Sequence, residues 1–257
     1  MTSTAHYPCL AGRVVFITGG ASGIGEGLVR AFAAQHAKVG FIDINEAAGC
    51  ALVDQLASAP SGQGQTLFQV CNVTDTAALK QALARVRQAL GPVSVLINNA
   101  ASDQRHTIDE VTPAYFDHAV AINLKHQFFA AQAVVPDMQT LGGGSIINVG
   151  STSWMIKAAG YPLYASCKAA VHGLTRALAR DLGASRIRVN TLVPGWVMTR
   201  RQLELWVTPE AELEIDAAQC LPGRLQVQDV AQMALFLASD QALMCTAQDF
   251  VVDAGWS

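Results

Sequence analysis

Short apolar, β-branched runs recur along the chain and alternate with longer segments whose apolar residues have helical spacing. The short runs predict strands at 14–18, 39–43, 66–70, 93–98, 145–149, 187–193 and 250–253. The longer segments predict helices at 25–35, 46–57, 76–90, 114–138, 162–182 and 227–237. Regular alternation of strand and helix predicts a parallel sheet with helices on both faces, a doubly wound α/β fold.

We expect one domain over residues 1–257, because no segment has the composition of a linker. Residues 58–65, with Pro60, Gly62 and Gly64, predict a turn between a helix and a strand. Residues 199–221 interrupt the alternation after a late strand. An insertion at this point of an α/β sheet is placed to cover the ligand crevice, so we predict a substrate-covering segment.

Composition narrows the class of protein. Apolar residues make up 51% of the chain and charged residues 14%, which fits buried parallel strands and apolar surface hidden between subunits. We therefore expect a homo-oligomer. The net charge of −3 provides no general attraction to nucleic acid or to anionic membranes, so neither is an expected partner.

Cysteine and histidine spacing points away from disulfides and metals. The six cysteines form no C-x-x-C pair, and the six histidines lack the paired spacings of metal ligands. We expect reduced thiols and no metal. The N-terminus lacks a basic patch followed by a long apolar core, and no apolar run is long enough to span a bilayer. The sequence thus predicts a soluble, cytoplasmic protein.

A glycine-rich octet follows the first predicted strand, with the sequence Thr18-Gly19-Gly20-Ala21-Ser22-Gly23-Ile24-Gly25. Its glycines suit a chain that leaves a strand, turns sharply and enters a helix with its amides exposed to a pyrophosphate. Asp43 ends the second strand, where a carboxylate accepts hydrogen bonds from ribose hydroxyls and repels a 2′-phosphate. We therefore predict NAD as the cofactor; the alternative for Asp43 is a helix cap.

Tyr164 and Lys168 are four residues apart in a predicted helix, so their side chains share one face. Pro162 suits the first turn of that helix, which places Tyr164 near the ligand edge of the sheet. A cation at ~4 Å and an effective dielectric of ~20 contributes about 4 kcal/mol, so we expect Lys168 to lower the Tyr164 pKa and make Tyr164 a base. Ser151 is expected to position the reacting oxygen, or else to cap a helix or turn.

Together, Gly19-x-x-x-Gly23-x-Gly25, Asn98-Asn99-Ala100, Asn123, Ser151, Tyr164-x-x-x-Lys168 and Pro194-Gly195-x-Val197-x-Thr199 resemble the short-chain dehydrogenase/reductase family over nearly the whole chain. The resemblance implies a Rossmann-type sheet, a tetrameric assembly and a catalytic tetrad of Asn123, Ser151, Tyr164 and Lys168. It implies cofactor contacts from Gly19, Ser22, Gly23, Ile24, Gly25, Asp43, Asn72, Val73, Asn99, Tyr164, Lys168, Pro194, Gly195, Val197 and Thr199.

Two positions depart from the commonest family pattern. Asn72 replaces the aspartate that meets the adenine amine in many members, and Ala101 replaces a glycine. We expect the amide oxygen of Asn72 to accept the adenine hydrogen bond instead. Asn123 is either a satisfied buried amide or, as its family position implies, part of a water relay to Lys168.

A narrower resemblance, to bacterial aldose 1-dehydrogenases of the D-xylose and L-arabinose type, rests on five segments. These are Asp103-Gln104-Arg105-His106, Ser151-Thr152-Ser153-Trp154, Trp206-Val207-Thr208-Pro209-Glu210, Ala217-Ala218-Gln219-Cys220-Leu221 and Asp253-Ala254-Gly255-Trp256. The resemblance implies NAD-dependent oxidation of a cyclic sugar at C1 to its aldonolactone. Expected sugar contacts are Ser151, Ser153, Trp154, Tyr164, Asp103, Gln104 and Trp196.

Alternatives remain at this point. The sugar is D-xylose, L-arabinose, D-galactose or L-fucose, which differ only in hydroxyl orientation or one substituent. The enzyme could instead act on another secondary alcohol or ketone, such as an acyl or steroid-like substrate. A noncatalytic dinucleotide-binding regulator is the remaining alternative, although such proteins usually lose the tyrosine or the lysine.

Overall fold

A computed structural model describes residues 5–58 and 64–257. Within them the strands are β1 (Val14–Thr18), β2 (Lys38–Asp43), β3 (Thr66–Val70), β4 (Val95–Asn98), β5 (Gly144–Val149), β6 (Ile187–Pro194) and β7 (Asp249–Val252). They form one sheet in the order β3-β2-β1-β4-β5-β6-β7, and all neighbouring pairs are parallel. The predicted parallel sheet is confirmed. Most of the turn predicted at 58–65 lies outside the described residues.

The helices are α1 (Gly23–Ala34), α2 (Glu46–Ala57), α3 (Thr76–Leu90), α4 (Pro113–Val120), α5 (His126–Thr140), α6 (Pro162–Leu182), α7 (Arg200–Leu205), α8 (Pro209–Ala218) and α9 (Val227–Ala238). The helix predicted over 114–138 is present, but a π-helical turn at Ala121–Lys125, which was not predicted, divides it into α4 and α5. Apolar spacing continues through a π turn, so periodicity alone does not reveal it. The predicted insertion folds as α7 and α8.

Two apolar layers cover the sheet. Side chains alternate along each strand, so Val15 and Ile17 of β1 pack on the side of α1, α2 and α9. Phe16 points the other way, into the layer made with α3 and α5. Every residue of β1, β4 and β6 is buried, as expected of parallel strands covered on both faces.

The chain reverses its direction of winding between β1 and β4, which are neighbours in the sheet. Connections from these two strands leave on opposite faces and open a crevice at their carboxyl ends. Gly19 follows β1, Asn99 follows β4, and Ser151 comes shortly after β5. The predicted nucleotide-binding and catalytic segments therefore meet along one edge of the sheet.

Candidate active site

The glycine loop after β1 is too closely packed for side chains. Gly19 has φ of 66°, and a Cβ there would lie 2.8 Å from the Ala100 Cα. A Cβ on Gly25 would lie 1.8 Å from the Gly19 carbonyl oxygen. Ser22, the N-cap of α1, makes no side-chain capping hydrogen bond, which leaves the first-turn amides to another acceptor. This arrangement fits a pyrophosphate at the N-terminus of α1.

Asn99 and Thr18 hold the glycine loop in place. The Asn99 Nδ2 donates to the carbonyl oxygens of Thr18, at 3.0 Å, and Gly19, at 2.9 Å. The Thr18 Oγ1 accepts from the backbone N–H groups of Asn99 and Ala100, both at 3.0 Å. The side-chain nitrogen of Asn99 is thus already bonded to the glycine loop. Sequence reasoning did not assign this role to Thr18, although its position at the end of β1 was a signal that could have indicated it.

Asp43 is held by the backbone on both sides of its carboxylate. Its Oδ2 accepts from the Ala21 N–H and its Oδ1 from the Asn45 N–H, each at 3.0 Å. Asn45, whose side chain accepts from the Ala48 N–H, caps α2. The helix-cap alternative for Asp43 is therefore wrong. A carboxylate has about four acceptor sites, so the fixed Asp43 retains capacity for ribose hydroxyls.

Asn72 and Val73 follow β3. The Asn72 Oδ1 accepts from the Thr74 N–H at 3.0 Å and from the Thr74 hydroxyl at 2.9 Å. These bonds use both lone pairs of the amide oxygen, which conflicts with the expected bond from the adenine amine to that oxygen. Among the described residues, the Nδ2 of Asn72 has no hydrogen-bond partner, and Val73 is buried.

The segment after β6 approaches the glycine loop. The Thr199 Cγ2 lies 3.3 Å from the position that a Cβ on Gly23 would take. The Thr199 Oγ1 also accepts from the Gln202 N–H at 3.3 Å and so caps α7. The insertion therefore begins beside the loop that fits the pyrophosphate. The remaining predicted residues of this segment are Pro194, which ends β6, and Gly195 and Val197, which follow it.

Ser151 is fixed in the orientation that a hydrogen-bond donor requires. Its Oγ accepts from the Ser153 N–H at 3.1 Å and caps a 3₁₀ turn at Thr152–Trp154. In this cap the Ser151 oxygen is the acceptor, so the hydroxyl hydrogen remains free to donate. Tyr164 lies in the first turn of α6, and the Ser151 side chain is near enough to counteract part of the rise in the Tyr164 pKa. The two predicted residues are thus brought together. The structure shows the capping role of Ser151, and its positioning of the reacting oxygen stays a prediction.

The electrostatics around Tyr164 differ from the prediction. Burial raises the Tyr164 pKa well above its ordinary value, while the hydrogen bond from Ser151 opposes that rise. The Lys168 Nζ lies 5.6 Å from the centroid of the Tyr164 ring and donates to the Val149 carbonyl oxygen at 2.6 Å. Burial lowers the Lys168 pKa to about 8. The sequence predicted that Lys168 lowers the Tyr164 pKa, and for the protein chain without a cofactor this prediction is wrong. Desolvation is the largest influence on the pKa of both groups.

Asn123 lies in the π turn between α4 and α5 and is 2% exposed. Its Nδ2 donates to the Ala119 carbonyl oxygen at 3.0 Å, and its Oδ1 accepts from the Ser102 N–H at 2.9 Å. Asn123 is therefore a satisfied buried amide that ties the π turn to the loop after β4. The water relay to Lys168 stays a prediction.

Two predicted sugar contacts are joined by a residue that sequence reasoning missed. The Gln202 Nε2 donates to the Asp103 Oδ2 at 2.7 Å, and the Gln202 Oε1 accepts from the Trp196 Nε1 at 2.9 Å. Arg201 pairs with the other Asp103 oxygen at 3.2 Å. Helix α7 is thereby fastened to the loop after β4, and the covering of the crevice by residues 199–221 stays a prediction. The residues are about a hundred positions apart, so local patterns carried no signal.

Trp154 has only its ring left for a ligand. Its Nε1 donates to the His172 Nε2 at 3.1 Å, and the His172 Nδ1 pairs with Asp249 at 2.9 Å. Of the other predicted sugar contacts, Ser153 has a buried Oγ that lacks a partner among the described residues, and Gln104 is exposed.

The described residues provide three further findings. They contain no group of three or more His, Cys, Asp or Glu side chains arranged to hold a metal ion. None of their helices has the length and apolar character needed to cross a bilayer. All six cysteines are free thiols.

The glycine loop, the half-buried Tyr164 and the buried Lys168 lie at one edge of the sheet, so a dinucleotide held by the loop would lie beside an acid/base group. Fold and site together define a nicotinamide-dinucleotide oxidoreductase. A family model described as Enoyl-(Acyl carrier protein) reductase matches residues 19–257. The chain belongs to the short-chain dehydrogenase/reductase family.

Two curated relatives match along almost their whole length. A D-xylose 1-dehydrogenase of Caulobacter vibrioides is 47% identical over 99% of both chains. A probable galactose dehydrogenase of Rhizobium meliloti is 41% identical over 98% of both chains. Both relatives carry the names of sugar dehydrogenases.

Two solved structures have the same fold and hold a nicotinamide cofactor. A 3-oxoacyl-[acyl-carrier protein] reductase from Brucella melitensis with bound NAD has a TM-score of 0.88 and 29% identity, covering 99% of this chain and 97% of that one. A blue fluorescent protein from a metagenomic library, in complex with NADPH, has a TM-score of 0.87 and 34% identity, covering 97% of this chain and 99% of that one.

Proposed function

We propose that this protein oxidises an aldose at C1 to the aldonolactone, with NAD as the cofactor. The observation that carries the proposal is the placement of Ser151, Tyr164 and Lys168 together at the sheet edge that also holds the glycine loop. The 47% identity to a D-xylose 1-dehydrogenase supports a sugar as the substrate. Bound NAD would supply the acceptor for the hydride that leaves C1.

The chain's own residues handle the proton. Tyr164 acts as the base in its deprotonated form: its phenolate oxygen accepts the proton of the C1 hydroxyl and becomes a phenol as the carbonyl of the lactone forms. Ser151 donates its free hydroxyl hydrogen to the reacting oxygen and holds C1 in position. Lys168, fixed by the Val149 carbonyl oxygen, supplies positive charge beneath the tyrosine ring. Water then opens the lactone outside this sequence of steps.

A panel of substrates tests the proposal through the absorbance of the reduced nicotinamide. We expect reduction of NAD with at least one of D-xylose, L-arabinose, D-galactose and L-fucose. Simple secondary alcohols, a hydroxyacyl thioester and a hydroxysteroid are the matched alternatives. Absence of signal with every aldose would rule out the sugar assignment, and a signal confined to another alcohol would name the alternative substrate class.

Asp43 supports NAD over NADP, because its carboxylate is held in place by two backbone amides and would repel a 2′-phosphate. We expect Asp43→Ala to raise the ratio of kcat/KM with NADP to that with NAD by about tenfold or more. Asp54→Asn, which removes an exposed carboxylate farther along α2, is the matched control. An unchanged ratio in Asp43→Ala would remove Asp43 from cofactor selection.

The homo-oligomer, a tetramer by family resemblance, stays a prediction. Light scattering coupled to size-exclusion chromatography measures it directly.

A further inference from the structure

Arg105 occupies a place on the substrate side of the crevice that neither the motifs nor the proposed reaction assigned. Its Cζ lies 3.7 Å from the centroid of the Tyr161 ring and 5.0 Å from that of Trp206. Tyr161 in turn contacts the ring of Tyr164 edge to face, with 5.3 Å between centroids. A continuous stack therefore leads from the end of α7 through the guanidinium to the catalytic tyrosine.

The guanidinium retains most of its hydrogen-bonding capacity. It has five N–H donors, and among the described residues it donates one hydrogen bond, from Nη1 to the Ala159 carbonyl oxygen at 3.2 Å. Asp103, the nearby carboxylate two positions away, is engaged by Arg201 and Gln202 instead. Stacking on Tyr161 fixes the plane of the guanidinium and leaves the N–H groups at its edge.

Trp206 adds a second donor at the same place. Its Nε1 is buried and has no partner among the described residues, whereas the Nε1 atoms of Trp154 and Trp196 are bonded to His172 and Gln202. Ser153, 4% exposed, has a buried Oγ that also lacks a partner there. Buried donors without partners carry a desolvation cost, which a ligand with several oxygen acceptors removes.

We propose that Arg105 and Trp206 form the subsite that binds the sugar hydroxyls remote from C1, with the planar guanidinium chelating two neighbouring hydroxyl oxygens. This inference rests on the proposed oxidation of an aldose. The subsite is inferred from the guanidinium of Arg105, which stacks on Tyr161 close to Tyr164 and keeps free N–H donors. In this subsite Trp206, at the C-terminus of α7, is a ligand-binding residue. Helix α7 thereby completes the sugar site as well as covering it.

The test compares two substrates that share the reacting carbon but differ in their other hydroxyls. One is the best aldose of the panel, and the other is tetrahydropyran-2-ol, a cyclic hemiacetal with no further hydroxyl. In Arg105→Lys the positive charge remains but the planar fork is lost. We expect kcat/KM for the aldose to fall about tenfold to a hundredfold, mainly through KM, while kcat/KM for tetrahydropyran-2-ol stays near the wild-type value.

Several controls make the outcome decisive. Arg200→Gln removes an exposed arginine of α7, the helix that ends at Trp206, and should leave both substrates unaffected. Thermal melting and titration with NADH report whether Arg105→Lys is folded, and titration of the aldose into the enzyme–NADH complex should show weakened binding. Equal losses for both substrates, or no loss for the aldose, would overturn the subsite alone. A wild-type enzyme that oxidises no aldose would overturn the proposed function and the subsite with it.

Discussion

Replacing Tyr164 with phenylalanine should abolish turnover while NAD binding stays near the wild-type value. Only the hydroxyl is lost, because the phenylalanine ring keeps the edge-to-face contact with Tyr161. The hydroxyl is also the group whose pKa the neighbouring Ser151 side chain affects. A positioned acid/base group contributes about 10² to 10⁴ in rate, so we expect kcat to fall by that factor.

Steady-state kinetics and titration of NADH separate the two parts of this prediction. Tyr7→Phe, which removes a phenol near the N-terminus, is the matched control and should behave as wild type. If Tyr164→Phe retains wild-type activity, Tyr164 is not the base. If it loses NADH binding together with activity, its role is structural.

Replacing Lys168 with methionine should impair turnover and cofactor binding together. Lys168 is 1% exposed, and its Nζ reaches both the Val149 carbonyl oxygen and the underside of the Tyr164 ring. Methionine fills a similar volume but removes the ammonium that donates to Val149 and lies 5.6 Å from the Tyr164 ring centroid. We expect kcat to fall about a hundredfold or more, with a weaker affinity for NAD. A variant that lost only one of these properties would contradict the double role.

The pH dependence of the free energy of unfolding tests independently whether burial lowers the Lys168 pKa. Burial holds its pKa near about 8 in the folded chain, below the value of ~10.4 in an unfolded chain. Between these values the unfolded state binds more protons, so this group makes the free energy of unfolding rise with pH. Denaturant unfolding of wild type should therefore show a steeper rise from pH 8 to 10 than Lys168→Met does. Parallel curves would mean that Lys168 titrates normally.

Much of the architecture was predictable because it follows from local patterns. The parallel strands are short, β-branched and mostly apolar runs, and the glycine loop is defined by consecutive residues, so both can be recognised in the sequence. The π turn inside the segment predicted as one helix was not predictable, because it leaves the apolar spacing of its neighbours intact. Asn123 lies in that turn. Its hydrogen bonds to Ala119 and Ser102 show that the turn is tied to the loop after β4.

The contacts that shape the substrate side were not predictable from the sequence. Gln202 joins Asp103 to Trp196, and Trp154 turns its N–H to His172, through contacts that only the folded chain brings together. Residue type alone marked Asp103, Trp154 and Trp196 as sugar contacts, but it could not show that their polar atoms have protein partners. The same limit applied to Tyr164, whose pKa depends on burial more than on the neighbouring lysine.

Deuterium transfer from C1 tests the central claim most directly. The best aldose of the panel is supplied with deuterium at C1 and incubated with the enzyme and NAD, and the reduced cofactor is isolated for mass spectrometry. We predict that the reduced nicotinamide carries one deuterium from the sugar. Reduced nicotinamide that contains no deuterium would contradict oxidation at C1.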